Sequence, residues 1–172
     1  MGQITYLQQQ GPLDTGLPGE YTVGAFHDNN WFMNLAGSNN LTGISGLYVM
    51  GQQMIWRPGG RKGMKAGLTV WGEFGYSGPS GSNTMPTFYG TGVTYQGMIP
   101  RHSHDSLNFG WIYGGFSKYL RGRTAERVYE VNYLWYPAKW LNVVPDFQYV
   151  IRPSGFNVPG AAVLGVQLNV TL

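Results

Sequence analysis

From Leu141 to Arg152 the chain alternates between two kinds of surface. Leu141, Val143, Pro145, Phe147, Tyr149 and Ile151 fall on one side, and Asn142, Val144, Asp146, Gln148, Val150 and Arg152 on the other. A period of two marks a β-strand with unlike surroundings on its faces, one greasy along its length and one carrying an acid, two amides and an arginine. About eleven residues of strand reach roughly 35 Å, enough to cross a bilayer's hydrocarbon at the tilt usual in barrels. The segment Trp140 to Pro153 therefore predicts a transmembrane strand with a lipid face and a watery face.

The same alternation recurs along the chain. Ile4 to Gln9 reads as the end of a strand, followed by a Gly- and Pro-rich loop through Gly19. Tyr21, Val23 and Ala25 then oppose Glu20, Thr22, Gly24, Phe26 and Asp28, and a long polar connection is expected from Asn29 to Gly43. Leu47 to Arg57 reads as a strand whose facing the pattern leaves open. Leu68, Val70, Phe74 and Tyr76 oppose Thr69, Trp71, Glu73 and Ser77, and Tyr89, Val93, Tyr95 and Ile99 oppose Gly90, Gly92, Thr94 and Gln96. Leu107, Phe109, Trp111 and Tyr113 oppose Asn108, Gly110, Ile112 and Gly114. Tyr129, Val131, Tyr133 and Trp135 oppose Glu126, Val128, Glu130 and Asn132. The chain closes on Ala162, Leu164, Val166, Leu168, Val170 and Leu172 against Val163, Gly165, Gln167, Asn169 and Thr171.

The fold class expected is all-β: an antiparallel transmembrane β-barrel with about eight strands and one truncated strand, occupying 1–172 as a single domain or as half of a larger barrel. Long loops are expected to alternate with short turns, as in outer-membrane barrels. With a periplasmic C-terminus, the loops near Asn29 to Gly43, Gly78 to Pro86, Lys118 to Arg123 and Pro153 to Gly160 would face outward. A soluble antiparallel barrel or sandwich would also alternate, with its greasy faces inside.

Composition separates the two. Charged residues make up 11% of the chain, about half the usual share, while aromatics reach 15% with 12 Tyr and 6 Trp. The exposed face of a soluble barrel would carry more Lys, Arg and Glu. Tyr and Trp at strand ends, among them Trp56, Tyr76, Trp135 and Trp140, fit the girdles at a membrane boundary. No apolar run approaches the length of a spanning helix, so insertion requires a closed barrel. The opening MGQITYLQQQG lacks the basic and apolar regions of a signal peptide, which predicts a removed leader or a start before Met1. A net charge of +3, dispersed along the chain, argues against nucleic acid as a partner. The absence of cysteine excludes disulfides and thiolate chemistry.

Several segments carry a family likeness: PGEYTVGAF (18–26), GLYVMGQQMIWR (46–57), GLTVWGEFGY (67–76), YQGMIP (95–100), PDFQYVIRPSG (145–155) and VLGVQLNV (163–170). In order and spacing they resemble the C-terminal half of the carbohydrate-selective outer-membrane porins of the OprB type. The resemblance implies a sixteen-stranded barrel in a Gram-negative bacterial outer membrane, with a constricted eyelet passing glucose and other sugars. It implies no cofactor and no catalysis. Its partners would be outer-membrane lipid, small sugars in transit, and a second chain or missing N-terminal half completing the barrel.

The substrate-contact residues expected on the lumen side are Trp71, Glu73, Lys118, Glu126, Glu130, Asn132, Asp146, Gln148 and Arg152. Sugar faces stack on aromatic rings, and hydroxyls pair with carboxylates, amides and guanidinium groups. Taken singly, each of these residues is also accounted for as a wetted wall residue. The run His102, Ser103, His104, Asp105 is the one cluster with the makings of a metal or catalytic site, but no third fixed ligand is identifiable and the segment falls in a turn. Two further readings compete with the porin. One is a small closed eight-stranded barrel serving as anchor or adhesin; the other is an outer-membrane lipid-modifying enzyme built on His102, His104 or Asp105.

Overall fold

A computed structural model describes residues 1–8, 16–37, 39–58, 66–78, 81–99 and 102–171. Nine strands follow one another: β1 (Gly2–Gln8), β2 (Gly19–Phe32), β3 (Leu41–Trp56), β4 (Gly67–Gly78), β5 (Thr87–Gln96), β6 (Ser106–Gly115), β7 (Ala125–Ala138), β8 (Leu141–Ile151) and β9 (Ala161–Val170). Each pairs antiparallel with its sequence neighbours in a single sheet ordered β1 to β9. The expected truncated strand is β1, and the eight full strands are β2 to β9. A 3-10 turn stands at Pro153–Gly155, and among the described residues no helix is long and apolar enough to cross a membrane.

Among the described residues no second layer covers the sheet, and packing is chiefly between consecutive strands. Buried apolar side chains among the described residues are few: Ile44, Met54, Ala66 and Ala125. Yet the two faces differ. Along β8, Pro145, Phe147 and Tyr149 are exposed while Asp146, Gln148 and Val150 are partly covered. A lone sheet can shelter one face only by curving towards it, which is the wall of a barrel with the polar set inside. The outer face is continuous in register: Val70 lies opposite Val93, Val93 opposite Phe109, Phe109 opposite Val131, Val131 opposite Phe147, and Phe147 opposite Leu164. Neither β1 nor β9 pairs with the other, so among the described residues each has one unpaired edge.

The strand whose facing the pattern left open is resolved by its neighbours. Val49 lies opposite Val23 and Phe74 on the outer face, which turns Tyr48, Met50, Gln52 and Met54 inward. A bulge between Met54 and Trp56 then breaks the period and brings Trp56 opposite Leu68, where its ring meets Tyr95 edge-on at 5.9 Å.

Two expectations about the connections need correction. About half of the polar stretch Asn29 to Gly43 is strand: β2 continues past a bulge between Asp28 and Trp31 to Phe32, and β3 begins at Leu41, leaving a connection of 33–40. Polar side chains there mark strands that outrun the apolar band. Loop length also fails to distinguish the two ends, because the segments between β1 and β2, β3 and β4, and β5 and β6 match those at the other end, and only the β7–β8 turn at Lys139 and Trp140 is tight. Residues 9–15, 38, 59–65, 79–80, 100–101 and 172, on which parts of the expected strands and connections fall, lie outside the described residues.

The β2–β3, β4–β5, β6–β7 and β8–β9 connections share one end and are joined through backbone. Leu35 N–H donates to the Gly81 carbonyl (2.7 Å), Ser117 N–H to that of Thr84 (2.9 Å), and Thr124 N–H to that of Gly155 (2.9 Å). Ser117 is fully buried there. The Arg123 guanidinium lies 4.6 Å from the Phe156 ring centroid and 5.6 Å from that of Phe116, bracing the last two connections.

Candidate lumen-facing site

The inner wall carries two polar patches joined by one indole. In the first, Trp71 of β4 lies across a strip of glycines on β5 and β6. A Cβ placed on Gly92 would meet the ring at 2.5 Å, one on Gly110 at 3.3 Å and one on Gly90 at 3.4 Å. Glycine is what allows a flat aromatic to lie against the backbone of two neighbouring strands. Beside it, Glu20, Thr22, Met50, Gln52 and Glu73 line a groove of about 280 Å³. Gln52 Nε2 donates to Glu20 Oε2 at 3.1 Å.

The second patch is a ladder of amides and carboxylates. Asn108 Nδ2 donates to Asn132 Oδ1 (2.7 Å), and Asn132 Nδ2 donates to Glu130 Oε1 (2.7 Å). Gln148 Nε2 lies between two acids, 3.3 Å from Glu130 Oε2 and 3.0 Å from Asp146 Oδ2. Each carboxylate thus gains a donor while an amide spaces the two charges, which lowers the cost of their proximity. Asp146 Oδ1 is enclosed with no donor among the described residues, so the ladder holds spare acceptor capacity. Gly110 lies opposite Glu130, which puts the Trp71 strip directly against this ladder.

Of the nine residues expected at the lumen, Trp71, Glu73, Glu130, Asn132, Asp146 and Gln148 occupy these patches. The other three stand at the laced end. Glu126, on the inner face at the start of β7, accepts from Ser154 N–H at 2.6 Å. Arg152 adopts a left-handed backbone (φ 56°) and donates from Nη1 to Thr124 Oγ1 at 3.3 Å. Lys118 lies off the strands, exposed in the β6–β7 connection with its ammonium 5.2 Å from the Tyr119 ring centroid. Glu20, Gln52 and Asn108 belong to the site without having been singled out. Their signal was parity: each shares the polar face of its strand, and only strand register brings them beside the others.

The histidine cluster has a different use. Asp105 is 3% exposed and its carboxylate is fully committed, to the Tyr133 hydroxyl (2.9 Å), the Tyr136 N–H (3.0 Å) and His102 Nδ1 (3.1 Å). It fastens the β5–β6 connection to β7. Among the described residues no group of three or more His, Asp and Glu is arranged to hold a metal ion.

Comparison with known proteins agrees with this wall. A family model described as carbohydrate-selective porin, OprB family, matches residues 1–172. A high-pH structure of Pseudomonas putida OprB superposes with a TM-score of 0.86 at 19% identity, covering 98% of this chain and 47% of that one. A low-pH structure of the same protein gives a TM-score of 0.66 at 21% identity, covering 98% and 45%. The chain therefore spans about half the length of the solved chains it matches. No curated protein matches it.

Proposed function

We propose, on the premise that this chain belongs to the carbohydrate-selective porin family of the OprB type, that it forms one part of the wall of a sugar-conducting barrel. The chain is a bacterial outer-membrane protein. In this reading further strands, from a longer chain or a second one, pair with the free edges of β1 and β9. Unpaired strand edges cannot face hydrocarbon, and a closed barrel of eight strands leaves room only for side chains where about sixteen leave an aqueous channel. The glycine strip under Trp71 would leave a narrow bore unfilled, and Glu73, Glu130 and Asp146 would be costly to enclose in one.

The observation that carries the functional reading is the indole lying flat between two sets of hydroxyl-pairing groups. A pyranose offers an apolar face and a rim of hydroxyls. The Trp71 ring supplies a surface for the first, and Glu20, Gln52 and Glu73 on one side with Glu130, Asp146 and Gln148 on the other supply acceptors and donors for the second. Contacts of this kind are weak and exchangeable, which suits conduction, where a solute must bind and then leave. The protein acts as a channel and performs no chemistry.

The test is single-channel recording from the complete porin in a planar bilayer with added glucose. Trp71→Ala should weaken sugar block about tenfold, equivalent to about 1.4 kcal/mol, while ionic conductance stays equal or rises. Sugar block unchanged by Trp71→Ala would overturn the assignment. Replacing His102 and His104 with alanine should leave conduction intact. Loss of an activity together with loss of bound metal would instead favour the enzyme reading.

A further inference from the structure

Charge is distributed across the sheet with one exception to an otherwise uniform rule. Glu20, Asp28, Glu73, Glu126, Glu130 and Asp146 are the acids on described strands, and all have inner-face parity. The one Lys or Arg on a described strand, Arg127 of β7, lies on the other face, opposite Tyr113 on β6 and Ile151 on β8. Its guanidinium stands 5.8 Å from the Tyr113 ring centroid. Among the described residues it has no ion pair. Its nearest acids in sequence are committed inward, Glu126 to Ser154 N–H and Glu130 to Asn132 and Gln148.

The height of Arg127 is set by its neighbours. Around it on the outer face stand Tyr89, Trp111, Tyr113, Tyr129 and Tyr149, with Tyr89 stacked on Tyr113 at 4.4 Å and edge-on to Trp111 at 5.5 Å. Further along the same face come Val131 and Phe147, then Trp135. The step from Arg127 to Trp135 runs roughly 27 Å along the strand, which at barrel tilt is about 21 Å of height, most of the roughly 25 Å outer-membrane apolar band. Arg127 and Trp135 thus mark opposite boundaries of that band. An arginine there reaches the headgroup layer with its stem along the apolar wall, at little cost.

We propose that Arg127 is a lipid-binding residue, its guanidinium fork holding the phosphate of an anionic lipid packed against the outside of the barrel. Phosphate matches the fork in geometry and charge, and no acid among the described residues pairs with it. The acyl chains of such a lipid would run down the wall over Val131 and Phe147. The inference rests on the membrane placement of the chain and is independent of sugar conduction.

Native mass spectrometry of the complete porin titrated with phosphatidylglycerol tests it. The wild type should retain phosphatidylglycerol at least fivefold better than a diacylglycerol with the same chains, and inorganic phosphate at millimolar concentration should not displace it. Arg127→Gln and Arg127→Ala should each remove most of that preference, Arg127→Lys should keep part of it, and sugar-blocked conductance should be unaltered in all three. Equal retention of the two lipids by the wild type, or full retention by the assembled variants, would overturn the proposal. So would displacement by free phosphate, which would indicate a soluble-anion site. A change of conductance with lipid retention unchanged would assign the guanidinium to the lumen. Should the substituted proteins fail to assemble, the comparison of the two lipids on the wild type still decides.

Discussion

Asp105 illustrates how a residue with catalytic credentials can be spent on architecture. Its carboxylate takes a phenol, a backbone amide and an imidazole, and a side chain so enclosed has no free lone pair facing a solute. Asp105→Ala would leave the Tyr133 hydroxyl and the Tyr136 N–H without that acceptor, and because both bonds are only part-buried the loss should lie near the lower end of the about 1–3 kcal/mol of a buried unsatisfied donor. Thermal unfolding of the detergent-solubilised porin, followed by its heat-dependent electrophoretic mobility, should shift downward accordingly. An unshifted transition would mean that the clasp contributes nothing. Gly92 makes the converse case. Alanine there would collide with the Phe109 carbonyl oxygen on β6 as well as with the Trp71 ring, so Gly92→Ala should strain the β5–β6 ladder, displace the indole and lower sugar block, as Trp71→Ala does by deletion. The glycine itself was legible in the sequence as a small inner-face residue. Its reason was not, because the ring it accommodates is on another strand.

At the scale of the strand, the apolar parity was the most readable property of the chain. Seven of the strands present their greasy side outward where simple alternation puts it, since lipid rewards every second residue alike. β3 resisted because its inner face is itself rich in Tyr48, Met50 and Met54, and because the bulge before Trp56 moves one residue out of phase. The inner patches were half legible. Residue type nominated Glu130, Asn132, Asp146 and Gln148, which stand together in the amide and carboxylate ladder, and also Lys118 and Arg152, which stand at the laced end. The face assignment has a direct check on β8. Phe147→Arg should destabilise the barrel by about 2–4 kcal/mol if it lies near mid-bilayer, whereas Gln148→Arg should be mild. Arginine at position 148 would stand between the carboxylates of Glu130 and Asp146, which are positioned to pair with it. Urea titration of the lipid-inserted porin distinguishes the two. Equal costs would remove the basis for calling one face inner.

The whole sheet poses the question of its edges. Ile4 is 75% exposed on β1 and Leu164 83% exposed on β9, far beyond the outer-face residues of the middle strands. In the complete porin these edges are expected to be covered, and hydrogen exchange reports it directly. Outward-pointing amides of β1 and β9 should then be protected to the same degree as those of β5. Fast exchange confined to the two edge strands would overturn the proposed continuation of the sheet. A direct β1–β9 ladder found in the membrane would favour the small closed barrel instead.

The lacing of the four connections at one end has an electrical corollary. Loops tethered only by side chains fluctuate on timescales that modulate a passing ion current, whereas these four are tied by amide-to-carbonyl bonds and clamped at Arg123. An aperture that does not breathe adds no slow component to the current. Open-channel recordings should therefore be quiet at low frequency, with a flat power spectrum. Ser117→Pro, which deletes the N–H that reaches Thr84, should raise low-frequency noise before it changes mean conductance. Stiffness of the mouth would then be measurable as silence.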